Sequence, residues 1–291
     1  MKSAVLIVFL HLFLYCSFLV TIPTIRADDN DISLFTYTEK GEIAQLIYAS
    51  HRISKGNPTV AFIDSNCNIS CIVSFSEQPS SLYIKKKLRM EYDRDLKTLC
   101  LVSGYQPDCA YILREYNSYS QTHRLLYSEA PPIDSLSSHL SRWITRGLYT
   151  DNEESRISRP LAASILITKY DEHQQRVRLT CVENTGHFAD YKYFISGSIS
   201  PTRKELIKSI LSNPSRIESK EIDDLVSRIV NVLDILEDEL SSGPSDCELC
   251  LLSEHGAVRS CYEGILGDKN RDISKIVNSL FVKQTPLKAT S

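Results

Sequence analysis

The chain has 291 residues, 42% of them hydrophobic and 24% charged, with a formal net charge of -3. That length suffices for one large core or two modest ones, and the composition is ordinary for an α/β protein. The charge balance gives no sign of a nucleic-acid surface: Lys85-Lys86-Lys87 is the one basic run, and it reads as a solvated edge.

An apolar run extends from Ala4 to Val20, with Lys2 before it and Pro23 and Ala27 after it. A charged start, an apolar middle and a small residue fit a secretory signal. Cleavage after Ala27 would remove Lys2 and Arg26 and no acids, taking the net charge from -3 to -5. The run is also long enough for a membrane anchor, and a mis-assigned first exon would produce the same pattern.

A turn at Lys40-Gly41 is expected to open a helix of about four turns. Its apolar side is Ile43, Leu46, Ile47 and Ile53, and Gly56 with Pro58 ends it. Strands follow over residues 59–63 and 69–75, around the turn-rich Asp64-Ser65-Asn66, then over residues 88–92 and 98–102. Ser103-Gly104 hands over to a helix with Pro107 in its first turn, where the missing amide costs nothing. Its apolar positions are Cys109, Ile112, Leu113, Tyr116 and Leu126. After Pro131-Pro132 a second helix carries Ile133, Leu136, Leu140, Trp143, Ile144 and Leu148. Two long helices with a short loop pack antiparallel.

Three strands are expected over residues 161–170, 177–183 and 188–195, then helices over 203–211 and 221–240. A strand over 247–252 and a helix over 273–280 close the order. Two stacked antiparallel sheets, each covered outside by a helix pair, would bury every one of these apolar faces. The expected fold is therefore α+β, a four-layer αββα sandwich with an extra N-terminal helix.

Candidate chemistry is sparse. Cys247-Glu-Leu-Cys250 has redox or zinc spacing, but no second pair or His cluster completes it, and its alternating apolar run favours strand core. Asn68-Ile69-Ser70 is a glycosylation sequon that matters only in a secreted chain. His51, His123, His139, His173, His187 and His255 are scattered without ligand spacing, and Glu237-Asp238-Glu239 is a solvated helix end. There is no Gly-rich phosphate loop and no Gly-x-Ser-x-Gly. No metal or cofactor is expected.

Tyr37, Thr38, Gly41, Gln45, Tyr48, Ala49, Lys55 and Gly56 match the signature of proteasome alpha-type subunits, which this stretch resembles. Glu39 replaces the usual Pro of that signature and Leu46-Ile47 its Val-Glu. The likeness continues in family order through Ser103-Gly104, His123-Arg124-Leu125, Tyr149-Thr150, Arg159-Pro160 with Ser164, Glu183-Asn184-Thr185-Gly186 and Ile195-Ser196-Gly197-Ser198.

The apolar run marks residues 1–27 as a signal-like or anchor-like leader; after it the resemblance implies an alpha-type segment over 28–58 and the αββα domain over 59–282, with a tail over 283–291. It implies a non-catalytic subunit of the seven-membered outer ring of the 20S core, acting in ubiquitin-dependent protein degradation in cytoplasm and nucleus. The leader points instead to the secretory pathway. Implied partners are other alpha subunits, beta subunits and regulatory particles, with a membrane involved only if the leader is an uncleaved anchor. Tyr37, Gly41, Ile43, Gln45, Leu46, Ile47, Tyr48, Ala49 and Gly56 would carry the ring-interface signature. Arg159, Pro160, Ser164, Gly186 and Gly197 would be structural motif positions.

Beta-type members of the family cut peptides with an N-terminal Thr whose own amine helps move the proton. Matching Val60-Ala61 to the first strand puts Asn57 in the nucleophile position, Pro58 next to it and Ser74 where a tuning Asp belongs. Asn offers no nucleophilic oxygen, so no catalytic residue is expected. The family's Tyr-Asp-Arg gate motif falls on Asn30-Asp31-Ile32, and the Lys that receives an activator's terminal carboxylate is replaced by Phe75 or Ser76. The alternatives are a secreted or membrane-tethered binding module and an N-terminal-nucleophile hydrolase.

Overall fold

The computed structural model describes residues 37–64, 68–77, 90–93, 97–149, 159–212, 221–239, 245–263 and 269–282. The apolar leader, Asn30-Asp31-Ile32, the Lys85-Lys86-Lys87 run, Cys67, Thr150 and the tail lie outside these residues. Residues 1–44 and 45–291 form two units.

In the first unit, residues 37–43 fold back on themselves. The Gly41 amide donates to Thr38 O at 2.8 Å and the Thr38 amide to Glu42 O at 2.7 Å. The Glu42 amide reaches Thr38 Oγ1, and Tyr37 bridges Ile43. Gly41 is left-handed at φ +78° and the Glu42 carbonyl is taken by the Thr38 amide, so the helix cannot open at Gly41 as expected. It opens at Ala44: α1 spans Ala44–Ser54, 11 residues, about three turns rather than four. Ile43 therefore lies outside it.

The second unit continues from α1 through β1 (Thr59–Asp64), β2 (Ile69–Glu77), β3 (Met90–Asp93), β4 (Thr98–Gly104), α2 (Gln106–Tyr127) and α3 (Ile133–Tyr149). It goes on with β5 (Ala163–Asp171), β6 (Arg176–Val182), β7 (Phe188–Asp190), β8 (Tyr193–Ser196), α4 (Pro201–Ser212) and α5 (Glu221–Glu239). A hairpin, β9 (Ser245–Ser253) and β10 (Gly256–Glu263), precedes α6 (Lys269–Val282). The strands form two five-stranded sheets, ordered β10-β9-β2-β1-β8 and β3-β4-β5-β6-β7.

Side chains alternate across each strand, and both faces are apolar. In the first sheet Val60, Phe62, Cys71, Val73, Phe75, Leu249 and Leu251 point to α4, α5 and α6, where Ile207, Leu225, Ile229, Leu233, Leu236, Ile273 and Val277 meet them. In the second, Cys100, Val102, Ile165, Ile167 and Val182 meet Ile112, Leu113, Tyr116, Leu136, Leu140 and Ile144 of α2 and α3. Ala61, Ile72, Leu99, Leu101, Leu166, Leu179, Cys181 and Cys250 fill the middle, between the sheets. These layers make the αββα sandwich. Asp64 is buried at the end of β1 because Arg228 of α5 reaches it at 3.3 Å, leaving no isolated charge.

Four further expectations need correction. The single strand expected over 188–195 is two strands in different sheets: β7 pairs with β6, and β8 pairs with β1. The crossing takes two residues. The Tyr191 amide bonds Leu179 O in one sheet, while Lys192 O accepts from the Ile63 amide in the other. Second, β10 was not expected; it turns back from β9 at Gly256, where φ is +121°. Third, the first sheet is covered by three helices rather than a pair. Leu126 also departs from its expected core position: it is 70% exposed near the C-terminal end of α2.

Candidate functional site

The nucleophile position lies just before β1. Gly197, at φ +92°, passes so close that a Cβ on it would fall on the Asn57 carbonyl. The chain is thereby pinned at Asn57-Pro58, with the Phe75 amide donating to Pro58 O at 3.0 Å. Thr59 Oγ1 donates to Asn57 O at 3.3 Å and lies 3.1 Å from Ser74 Oγ. Thr59 is flanked in register by Ser74 and Ser196, and Ser196 Oγ lies 3.3 Å from Ser103 Oγ of the other sheet.

This end of the sandwich is thus a buried row of hydroxyls satisfying one another. Among the described residues no Lys, Asp or His hydrogen-bonds to Thr59, Ser74, Ser103 or Ser196. Asn57 presents an amide at the position where the resemblance expects the nucleophile. Phe75 is buried in the helix-facing core of the first sheet, so it offers no charge for a carboxylate.

The signature residues are split. Tyr37 is exposed and Gly41 sits in the turn at φ +78°. On α1, Gln45 and Leu46 are half-buried, Ala49 is buried, and Ile47 and Tyr48 are 38% and 53% exposed. Gly56 packs against the Gly104 backbone, 3.3 Å from its nitrogen to a Cβ placed on Gly56.

The motif positions cluster around the same end. Arg159 grips Asp108 of α2 with both terminal nitrogens, at 2.7 and 2.8 Å, and Asp108 also accepts from the Ala162 amide at 2.8 Å. That pairing raises the Arg159 pKa, the hydrogen bond to Asp108 being the main cause. Pro160 is buried and its carbonyl accepts from Arg159; Ser164 is buried opposite Ser103. Gly186 sits at φ +82° where a Cβ would strike the Thr145 methyl, and its carbonyl accepts from Ser141. Beside it, Asn184 exchanges hydrogen bonds with Ser50 of α1 at 3.2 and 3.3 Å.

Sequence reasoning missed Tyr105. Its ring carries the Arg52 guanidinium 5.5 Å from its centroid and that of Arg159 at 5.8 Å. No spacing rule reveals this, because residues 52, 105 and 159 meet only in three dimensions.

The other candidates resolve into structure. Cys247 faces the helices and Cys250 the opposite sheet, as period-two alternation demands of residues three apart, so they cannot share one metal ion. Burial pushes the Cys71 thiol well above its ordinary range and raises that of Cys181, which makes both poor nucleophiles. His139 is half-buried, 2.7 Å from Glu115 and stacked on Tyr119. Among the described residues no group of three or more His, Cys, Asp or Glu could hold a metal ion, and no helix is long and apolar enough to cross a membrane.

The proteasome subunit family model matches residues 53–252. Proteasome subunit alpha type-2 of Drosophila melanogaster is 25% identical over 222 residues, covering 75% of this chain and 88% of the relative. Probable proteasome subunit alpha type-5 of Encephalitozoon cuniculi is 24% identical, over 74% of this chain and 88% of its own. Proteasome subunit alpha type-7-B of Oryza sativa subsp. indica is 23% identical, over 80% and 87% respectively. The sandwich, the signature helix before it and these relatives agree: the chain belongs to the proteasome subunit family and, by its relatives, to the alpha type within it.

Proposed function

We propose that this chain is a non-catalytic alpha-type subunit of the 20S core particle. It takes one place in a seven-membered outer ring, beside other alpha subunits and against beta subunits, in ubiquitin-dependent protein degradation in cytoplasm and nucleus. The observation that carries this reading is α1. A helix docked at the end of a complete sandwich, with Ile47 and Tyr48 partly exposed, has apolar area to spend on a neighbour. The alpha-type segment is taken as residues 28–58 and the sandwich domain as 59–282. The hydroxyl row around Thr59, with Asn57 in place of a nucleophile, supports the absence of peptide cleavage by this chain. Phe75 in the core supports a weak role in receiving an activator's carboxylate.

The test is native purification of the full chain under mild conditions, with mass and co-purifying chains recorded. Sister proteasome subunits in one particle are expected. Ile47→Glu should abolish that incorporation, and because Ile47 is only 38% exposed the subunit itself should lose about 1 kcal/mol while remaining folded. A lone monomer, or undiminished incorporation of the Glu variant, would overturn the reading.

A further inference from the structure

Helix α1 has little burial to hold it in place. Of its 11 residues only the small Ala44 and Ala49 are buried, with Gln45, Leu46 and Ile53 half-buried, and 11 residues are too few for a helix that stands by itself in water. Its pose must come from particular contacts. At its middle, Ser50 exchanges hydrogen bonds with Asn184 of the β6–β7 turn. At its end, Gly56 lies against Gly104, and Gly56 O accepts from the Ser198 amide at 2.8 Å. Between these, Arg52 lies over the Tyr105 ring.

Arg52 makes no salt bridge among the described residues, so the face of Tyr105 is its partner. Arg159 occupies the same ring at 5.8 Å while its charge is bound by Asp108. The main chain of Tyr105 is fixed without help from the ring. Its amide donates to Ala162 O at 2.8 Å, its carbonyl accepts from the Cys109 amide at 2.9 Å, and Gly104 before it lies at φ +132° where a Cβ would strike Ala162 O. The ring is 40% exposed and belongs to no buried cluster. Its contribution is the bridge between two guanidiniums.

The geometry points to Tyr105 as a positioning residue for the alpha-type helix: its ring joins Arg52 of α1 to the Arg159–Asp108 pair, setting the pose of α1 without supporting the sandwich. A cation over an aromatic face at a partly exposed site is a modest attraction, enough to change local opening of a short helix severalfold. Loss of the ring frees α1 to open while both sheets stay closed. The consequence for assembly rests on the ring-subunit reading above, since a neighbour would then meet a helix that is less often in place.

The experiment is hydrogen exchange on the full chain, read over residues 45–54 and over β1, β2, β5 and β6. The variants are Tyr105→Leu, Tyr105→Phe and Arg52→Gln. Exchange in α1 should rise about two- to fivefold in Tyr105→Leu and Arg52→Gln, remain at the wild-type rate in Tyr105→Phe, and stay unchanged in the four strands throughout. Unchanged α1 exchange in Tyr105→Leu and Arg52→Gln overturns the proposal, as does an equal rise in all four strands. Co-purification separates the two readings. A wild-type chain with no proteasome partners removes the ring assignment but not the clasp; normal assembly with unchanged α1 exchange removes the clasp but not the ring.

Discussion

Asn68 combines a backbone demand with a side-chain task. Its φ is +50°, a region that Asn tolerates better than most residues. Its side chain ties the two sheets together at one end: Nδ2 donates to Gln175 O at 3.1 Å, and Oδ1 accepts from the Val177 amide at 2.8 Å. The nitrogen that a glycan would take from this sequon is thus engaged across the sandwich. Asn68→Ala should lose both bonds and add left-handed strain, costing about 2–3 kcal/mol in urea unfolding. Asn68→Gly should cost less, because the strain is relieved while the bonds are still lost. A loss of under about 0.5 kcal/mol in the Ala variant would mean that the clamp contributes nothing.

At the scale of elements, the β6–β7 turn decides how helices sit on the end of the sandwich. Asn184 reaches α1 through Ser50, and Gly186 reaches α3 through Ser141 and the Thr145 methyl. The absence of a Cβ at Gly186 allows that approach as well as its φ of +82°. Gly186→Ala should therefore cost about 3 kcal/mol in thermal unfolding, from steric overlap and left-handed strain together. Adding Thr145→Ser removes the methyl and keeps the hydroxyl that donates to Ser141 O at 2.9 Å. The double variant should regain roughly the steric half, leaving the backbone strain. No recovery would show that the methyl does not set this packing.

Across the whole molecule, Arg178 gathers several elements. From β6 it meets Asp134 at the start of α3 at 2.6 and 2.8 Å, Asp190 of β7 at 2.9 Å and Asp171 of β5 at 3.7 Å. The hydrogen bond from Arg178 is the largest cause holding Asp134 below its ordinary value of 3.8, with burial opposing it. A carboxyl depressed on folding stabilises the fold at pH above its unfolded value, and that stabilisation is lost as pH falls through the lower folded value. Urea unfolding across pH should show wild type more stable than Asp134→Asn near neutrality. The gap should stay constant down to about pH 5 and close below it. A gap that does not change in acid would mean that the pair carries no linkage.

Much of the architecture was legible in the sequence because burial on both faces writes itself as apolar runs, and helical faces as i, i+3, i+4 spacing. The stretches around Val60, Ile72, Leu99 and Ile165, and the faces of α2, α3 and α5, announced their elements and hence the layers. Three things were decided only in three dimensions. The chain crosses from one sheet to the other at Tyr191-Lys192, and alternation along a strand carries no mark of which sheet it joins. Helix α1 opens only at Ala44 because Gly41 is left-handed and the Glu42 carbonyl is taken by the Thr38 amide. The meeting of Arg52, Tyr105 and Arg159 depends on folding together residues about fifty positions apart, which periodicity, a property of neighbours, cannot encode.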